Sequence, residues 1–249
     1  EMFTGGARLL PQEGADGKLT PEAVAEAVRV GSVHGVHRAR PAAVSVTQAT
    51  ESGTVYTPAE LLALSEAGRE HGLRLHMDGA RFANAVAGLG CSPAEATWKA
   101  GVDVLAFGGS KTGALAAEAV VIFQPELVPG LAERHKRAGQ LLSKMRFVSA
   151  QWEALLADDL WLETARHANA MARRIAAGLH ELPGAAVLFP VQANEVFAML
   201  PAEARARAEA AGFALADWPD LGEGAVRMVT AFDTPDADVT AFLAACAGE

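Results

Sequence analysis

The chain has 249 residues, 51% hydrophobic and 20% charged, enough apolar mass to bury a sizeable core in roughly one or two domains. Its 21 Lys and Arg against 30 Asp and Glu leave a net charge of −9, and no basic run carries interleaved aromatics, which argues against nucleic acid or an anionic membrane surface as partner. Cys91 and Cys246 fall in neither a metal-ligand nor a disulfide spacing and fit a reducing, cytoplasmic setting, and no apolar run approaches the roughly 18 residues of a membrane span.

Residues 1–20, rich in Gly, Pro and Asp, read as an extended loop. Thr20-Pro21-Glu22 then supplies an N-cap, a proline at the first helical position and an acidic first turn, which predicts a helix over about 21–32. The β-branched run 44–48 predicts a strand whose C-terminal end opens into the polar string Ala49-Thr50-Glu51-Ser52-Gly53. Thr57-Pro58-Ala59-Glu60 repeats the capping chemistry and opens a helix that stops near His71-Gly72. A strand over 73–77, a tight exit through Asp78-Gly79-Ala80-Arg81 into a helix, a capped helix from Ser92-Pro93-Ala94-Glu95 and a strand over 102–107 follow. This alternation predicts a parallel sheet covered by helices, with the strands' C-terminal ends on one edge. Strand 118–123 comes too soon after Lys111 for a helical crossover and is expected to be antiparallel.

From 125 to 182 the pattern is helical, with breaks expected near Gly139 and Ser149 and a stop at Leu182-Pro183-Gly184. Strands over 187–191, 195–200, 213–218 and 226–232, with helices over 202–211 and 235–247, predict a small α+β unit. The expected division is 1–150 for the larger α/β domain and 151–249 for a connecting helix and the small domain.

Asp78 lies at the mouth of one strand and Lys111 just past the next, in Phe107-Gly108-Gly109-Ser110-Lys111-Thr112-Gly113. Taken singly, each reads as ordinary: Asp78 as the cap of the next helix, Lys111 as a solvated loop lysine. If the strands are neighbours, an acid and an amine meet on the ligand-binding edge of an open sheet, and glycines on both sides of Lys111 allow close backbone approach. Pyridoxal phosphate chemistry needs this pair. A lysine amine forms an imine with the cofactor aldehyde, and a carboxylate keeps the pyridine nitrogen protonated so the ring can accept electrons.

The strings His76-Met77-Asp78-Gly79-Ala80-Arg81-Phe82 and Phe107 to Gly113, preceded by Thr47-Gln48-Ala49-Thr50-Glu51, resemble the low-specificity threonine aldolases of the β-eliminating lyase group. The likeness continues through Lys136-Arg137-Ala138-Gly139-Gln140 and Asn194-Glu195-Val196-Phe197 to Val226-Arg227-Met228-Val229-Thr230, and so runs along essentially the whole chain. The resemblance implies a fold-type-I pyridoxal 5'-phosphate enzyme that cleaves β-hydroxy-α-amino acids such as threonine to glycine and an aldehyde. It also implies a homodimer or homotetramer. By that resemblance Lys111 bonds the cofactor aldehyde and Asp78 holds the pyridinium. Arg81 faces the cofactor or the substrate carboxylate, and Arg227 holds that carboxylate from the small domain, a bidentate task suited to arginine.

Other positions have quieter readings beside functional ones. Gln48 approaches the ring or is an ordinary strand-end polar residue; Ser110 donates to the phosphate or caps a turn. Glu51 and Ser52 reach the substrate or solvate a loop. Alternation alone points Arg227 to solvent, His76 reads as a satisfied strand histidine, His167 and His180 as surface residues, and Trp152 and Trp161 as core packing. Family members carry a glycine-rich phosphate cradle and a ring-stacking histidine upstream of the point matched by Glu1. Thr4-Gly5-Gly6, His34 and His37 do not substitute for them, and no base for the hydroxyl proton stands out. With no Met before Glu1, the expectation is a chain equivalent to the family's C-terminal two-thirds or so. The alternative reading is a truncated, catalytically impaired homologue that binds subunits. A nucleotide-binding oxidoreductase is disfavoured, because no G-x-G-x-x-G follows a strand.

Overall fold

The computed structural model describes residues 4–33, 35–37 and 39–249. Glu1 to Phe3 and His34 lie outside the described residues, and His37 is an exposed residue of a short 3-10 turn, Gly35–His37. Helix α1 (Pro21–Ser32) begins as its capping signal predicts, with the Thr20 hydroxyl accepting from the Ala23 N–H at 3.2 Å. Strand β1 (Ala43–Thr47) leads through the 48–57 loop to α2 (Pro58–Glu70), where Thr57 and Glu60 close a reciprocal capping box. Strand β2 (Arg74–Gly79) turns at once into α3 (Phe82–Leu89), and β3 (Val104–Gly108) is followed by a single 3-10 turn, Ser110–Thr112, before β4 (Glu118–Ile122).

The first sheet has the order β1-β2-β3-β4, parallel except for β4, which runs antiparallel to β3 as the short connection requires. Val44, Val46, Leu75, Met77 and Leu105 alternate inward and pack under Leu61, Leu64, Phe82 and Val86 of the helices. Helices α4 (Leu131–Arg137), α5 (Arg146–Leu156) and α6 (Leu160–Glu181) follow. The 22-residue α6 joins two cores: Trp161 and Ala165 pack into the first, while Met171, Ile175 and Leu179 pack into the second.

The second sheet is antiparallel, in the order β5 (Ala186–Val187), β6 (Glu195–Met199), β8 (Ala225–Val229), β7 (Ala216–Asp217). Helix α7 (Ala202–Ala210) lies between β6 and β7 in the chain, and α8 (Asp236–Ala247) closes it. Buried Asn84 and Asn169 tie α3 to α6 by reciprocal hydrogen bonds at 2.9 Å, so the first sheet's exit helix is held against the element that carries the second core.

Several expectations are corrected. The capping bonds of Ser92 and Glu95 form, but no α-helix follows. Thr97 leaves helical backbone and donates its hydroxyl to the Pro93 carbonyl, and the segment ends in a 3-10 turn, Trp98–Ala100, before left-handed Gly101. So short a segment does not repay helix nucleation. Ser149 lies inside α5; the break falls instead at 157–159, where Asp158 and Asp159 take positive φ, and at Gly139 as expected. The expected strands 187–191 and 213–218 shrink to two residues each because both are sheet edges with one partner. Strand 226–232 stops at Val229, after which the chain turns into a cleft. His167 is half-buried, with Nε2 2.8 Å from the Thr234 carbonyl, whereas His180 is exposed.

Candidate active site

Parallel pairing of β2 and β3 sets Asp78 opposite Ala106 and Gly79 opposite Phe107, so the exits carrying Asp78 and Lys111 leave the sheet side by side. The close approach depends on glycine. A Cβ at Gly108 would lie 2.9 Å from both the Cα and the carbonyl oxygen of Ala80, and one at Gly109 would lie 2.6 Å from the Ala117 carbonyl and 3.1 Å from the Trp152 ring. Behind them Phe107 packs against Trp152 and Trp161, with centroids at 4.5 and 5.4 Å, which holds the β3 exit firmly. Gly108→Ala is expected to push the two exits apart and cost about 1–3 kcal/mol of stability, the usual penalty of overpacking. Chemical denaturation measures it; an unchanged midpoint would mean the exits accommodate a methyl.

Lys111 is exposed on its 3-10 turn. It lines a cleft of about 280 Å³ together with Arg81 and Ser110 on one side and Asn194 and residues 229–232 on the other. Asp78 is exposed at the end of β2, and its Oδ1 accepts the Ala80 N–H at 3.0 Å, which fixes the carboxylate at the turn. The Ser110 hydroxyl donates to Glu118 Oε1 at 2.6 Å. His76, on the Asp78 face of β2, is half-buried and bonded to Ser45 at 2.9 Å; burial pushes its pKa down while Asp78 opposes the shift.

Gln48 does not join this group. It is fully buried, and its amide is committed to the backbone of Tyr56: Nε2 donates to the Tyr56 carbonyl at 2.8 Å and Oε1 accepts the Tyr56 N–H at 2.9 Å. The side chain braces the loop after β1, while the Gln48 backbone N–H donates to the Asp78 carbonyl at 2.7 Å. Glu51 is exposed and acts on Arg81 only through its charge, and Ser52 is half-buried.

Arg227 does not point to open solvent as strand alternation suggested. Its Nε donates to Glu195 Oε1 at 3.0 Å, its Nη2 bonds the same oxygen, and its guanidinium lies 5.9 Å from the Phe197 ring centre and 5.2 Å from that of Trp218. Arg81, only 8% exposed, has Nε 3.3 Å from Glu195 Oε2, close enough to pair but not aligned for a hydrogen bond. Glu195 is thus a buried carboxylate held between two guanidiniums. Burial pushes the Arg81 pKa down and Glu195 pulls it back, while the nearby Arg227 charge adds to the lowering.

Sequence reasoning missed Glu195, Thr230 and Phe232. Glu195 left a signal: it is a lone charge at the head of an apolar strand, and pairing of β6 with β8 sets Phe197 opposite Arg227, two residues away. Thr230 closes one of the strings that carry the resemblance but drew no role there, and nothing in the sequence singled out Phe232; both reach the cleft through the path of the chain after β8.

The family model described as β-eliminating lyase matches residues 1–203. The chain belongs to that family. The low specificity L-threonine aldolase of Pseudomonas aeruginosa is 47% identical over 234 residues, covering 94% of this chain and 66% of that protein. The low specificity L-threonine aldolase of Pseudomonas sp. NCIMB 10558 is 44% identical over 239 residues, covering 96% of this chain and 68% of that protein. This lyase-family chain therefore spans about two-thirds of the length of the curated relatives it matches. Leishmania major threonine aldolase superposes with a TM-score of 0.89 at 28% identity, over 97% of this chain and 70% of that one. Oryza sativa TDC, solved with PLP, shares the fold at a TM-score of 0.66 and 16% identity, over 94% of this chain and 53% of that one. The fold is that of the fold-type-I pyridoxal phosphate enzymes, α/β with a mixed, mostly parallel sheet flanked by helices. Among the described residues no helix is long and apolar enough to cross a membrane.

Proposed function

We propose that this chain carries the active-site face of a pyridoxal 5'-phosphate-dependent lyase that cleaves the Cα–Cβ bond of β-hydroxy-α-amino acids, threonine to glycine and acetaldehyde among them. The observation that carries the reading is the meeting of Lys111 and Arg81 in one cleft, with the Asp78 carboxylate on the neighbouring strand end. The similarity to two threonine aldolases at 44% and 47% identity selects this reaction from the many that one Asp and one Lys can serve.

The residues present fit the cofactor at two of its ends: an exposed amine for the aldehyde, and a carboxylate already fixed at its turn for the ring nitrogen. The glycines at 108 and 109 let the two exits pack closely, against Ala80 and against Ala117 and Trp152. When bound, pyridoxal phosphate supplies an electron sink for the bond broken at the substrate α-carbon. Lys111 would hold the cofactor through its Nζ, and Asp78 would keep a proton on the ring nitrogen. Ser110 is the hydroxyl nearest the lysine in sequence and would serve the phosphate by giving up its bond to Glu118.

Arg81 and Arg227 would bind the substrate carboxylate. A guanidinium fork fixes the amino acid's rotation about its α-carbon, and that rotation selects the bond that breaks. Phe232 and Val229, on the opposite wall, would exclude water from the reacting atoms. The larger unit, 1–150, would hold the cofactor, and the smaller, 151–249, would bring Arg227. Both cysteines are unpaired, which suits a cytoplasmic enzyme, and its family suggests a homodimer or homotetramer.

The test is a visible absorption spectrum with added pyridoxal phosphate before and after borohydride, with peptide mapping of the reduced adduct and assay of threonine cleavage. A visible band that borohydride bleaches, with the reduced adduct mapped to Lys111, together with glycine formation, is the expected result. An adduct without turnover favours the catalytically impaired homologue. Arg227→Lys is expected to raise KM for threonine by roughly tenfold or more, because an ammonium loses the two-pronged contact. Unchanged steady-state kinetics would return Arg227 to a structural role.

A further inference from the structure

We propose that Glu195 is the positioning residue that locks Arg81 and Arg227 into one arrangement for the substrate carboxylate, an inference that rests on the reading of those arginines given above. The three side chains come from three places: Arg81 from the exit of β2, Glu195 from β6 and Arg227 from β8. Glu195 is the group common to both guanidiniums, pairing with Arg227 through Oε1 and with Arg81 through Oε2. It is also closed in from above, since a side chain at Gly53 would meet its Cβ at 3.1 Å and its carbonyl oxygen at 3.2 Å.

A buried ion group of this kind is a poor device for stability alone, because desolvating the charges offsets their attraction. It is a good device for orientation. Two guanidiniums near one another repel, and Arg227 keeps 23% of its side chain exposed and so has a route to solvent. The single carboxylate between them cancels one charge and holds both forks in place. The cluster keeps one net positive charge, matched to one carboxylate. Glu195 Oε2 and Arg81 Nε, both buried, face each other at 3.3 Å without an aligned hydrogen bond, and Arg81 is the member of the cluster that also lines the cleft.

Positioning and simple charge balance make opposite predictions for Glu195→Gln. A charge-balance role means that removing the carboxylate raises the local positive charge and tightens an anion. A positioning role means that Arg227 swings away and the anion binds more weakly, by roughly 10- to 100-fold, the scale of losing an outer partner that orients a binding group. The experiment is calorimetric titration of the pyridoxal phosphate-loaded protein with glycine, alongside KM and kcat for threonine and the thermal midpoint.

Glu195→Gln is expected to weaken glycine by roughly 10- to 100-fold and to raise KM in parallel, with kcat at saturation much less affected. Glu195→Asp keeps the charge but withdraws it by one methylene, so it is expected to weaken glycine as well, and it carries the test if the Gln variant does not fold. Glycine affinity unchanged or tightened in the folded variants overturns the inference, even if the thermal midpoint falls. If the wild-type protein binds no glycine, the reading of the cleft fails and this inference with it; wild-type binding with indifferent variants sinks only the positioning role.

Discussion

Lys111→Ala abolishes the visible band and the borohydride-trapped adduct of the protein with pyridoxal phosphate, and threonine cleavage falls to background. The expectation follows from chemistry that no other side chain at this spot performs. An amine is needed to bond an aldehyde, and within the cleft lined by Arg81, Ser110, Asn194 and residues 229–232 Lys111 is the residue that carries one. The same substitution is expected to leave stability within about 0.5 kcal/mol, because Lys111 is exposed and removal of a surface side chain seldom costs more. Retention of a specific adduct, or of turnover, in purified and folded Lys111→Ala protein would end the mechanism proposed above. Absorbance and thermal melting on one sample separate loss of chemistry from loss of fold.

Asp78→Ala is expected to lower kcat by roughly 10²- to 10³-fold, the scale of losing one preorganised electrostatic partner in an active site. Part of any loss will be structural, because Asp78 Oδ1 also accepts the Ala80 N–H at the turn into α3. Asp78→Asn divides the two effects. The amide oxygen still accepts that N–H but carries no charge to hold a proton on the ring nitrogen. If Asn restores the thermal midpoint and leaves kcat as low as Ala does, the carboxylate acts through its charge. A kcat restored by Asn would mean that Asp78 serves only as a cap.

Much of the fold was legible because local chemistry and tertiary packing agree. Thr20 and Thr57 accept the N–H groups that their capping patterns predict, and β4 runs antiparallel because too few residues separate it from β3 for a crossover. Disagreement came where a local signal had too little chain or too few partners behind it. Ser92 and Glu95 form their capping bonds, yet the helix they announce has no room before Gly101. Strands 187–191 and 213–218 have β-forming residues but lie at sheet edges, where one neighbour pairs only two residues of each.

The site divides in the same way. Asp78 and Lys111 were visible from sequence because strand order and short exits are local facts, and adjacent parallel strands then place their ends together. Gln48 looked like a site residue for the same reason, but its amide was taken by Tyr56, only eight residues on, through a loop closure that no periodicity displays. Glu195 shows the limit most clearly. Its sequence position announces a charge in an apolar strand, and nothing nearby announces its two partners.

Chain length, the alternation of strand and helix, the capping residues and the Asp78 and Lys111 strings are written in the order of the residues, and they specify the family fold and put Asp78 and Lys111 at the exits of neighbouring strands. Tertiary structure alone decided that Arg227 turns inward, that Thr230 and Phe232 form a wall of the cleft, and that Arg81 and Arg227 share one buried carboxylate. The physical reason is sequence separation. Helix caps and strand exits are satisfied by groups a few residues apart, whereas a charge buried at Glu195 finds its compensation 114 residues upstream at Arg81 (195 minus 81) and 32 residues downstream at Arg227 (227 minus 195), and only the packing of two sheets against a common helix brings those groups within reach.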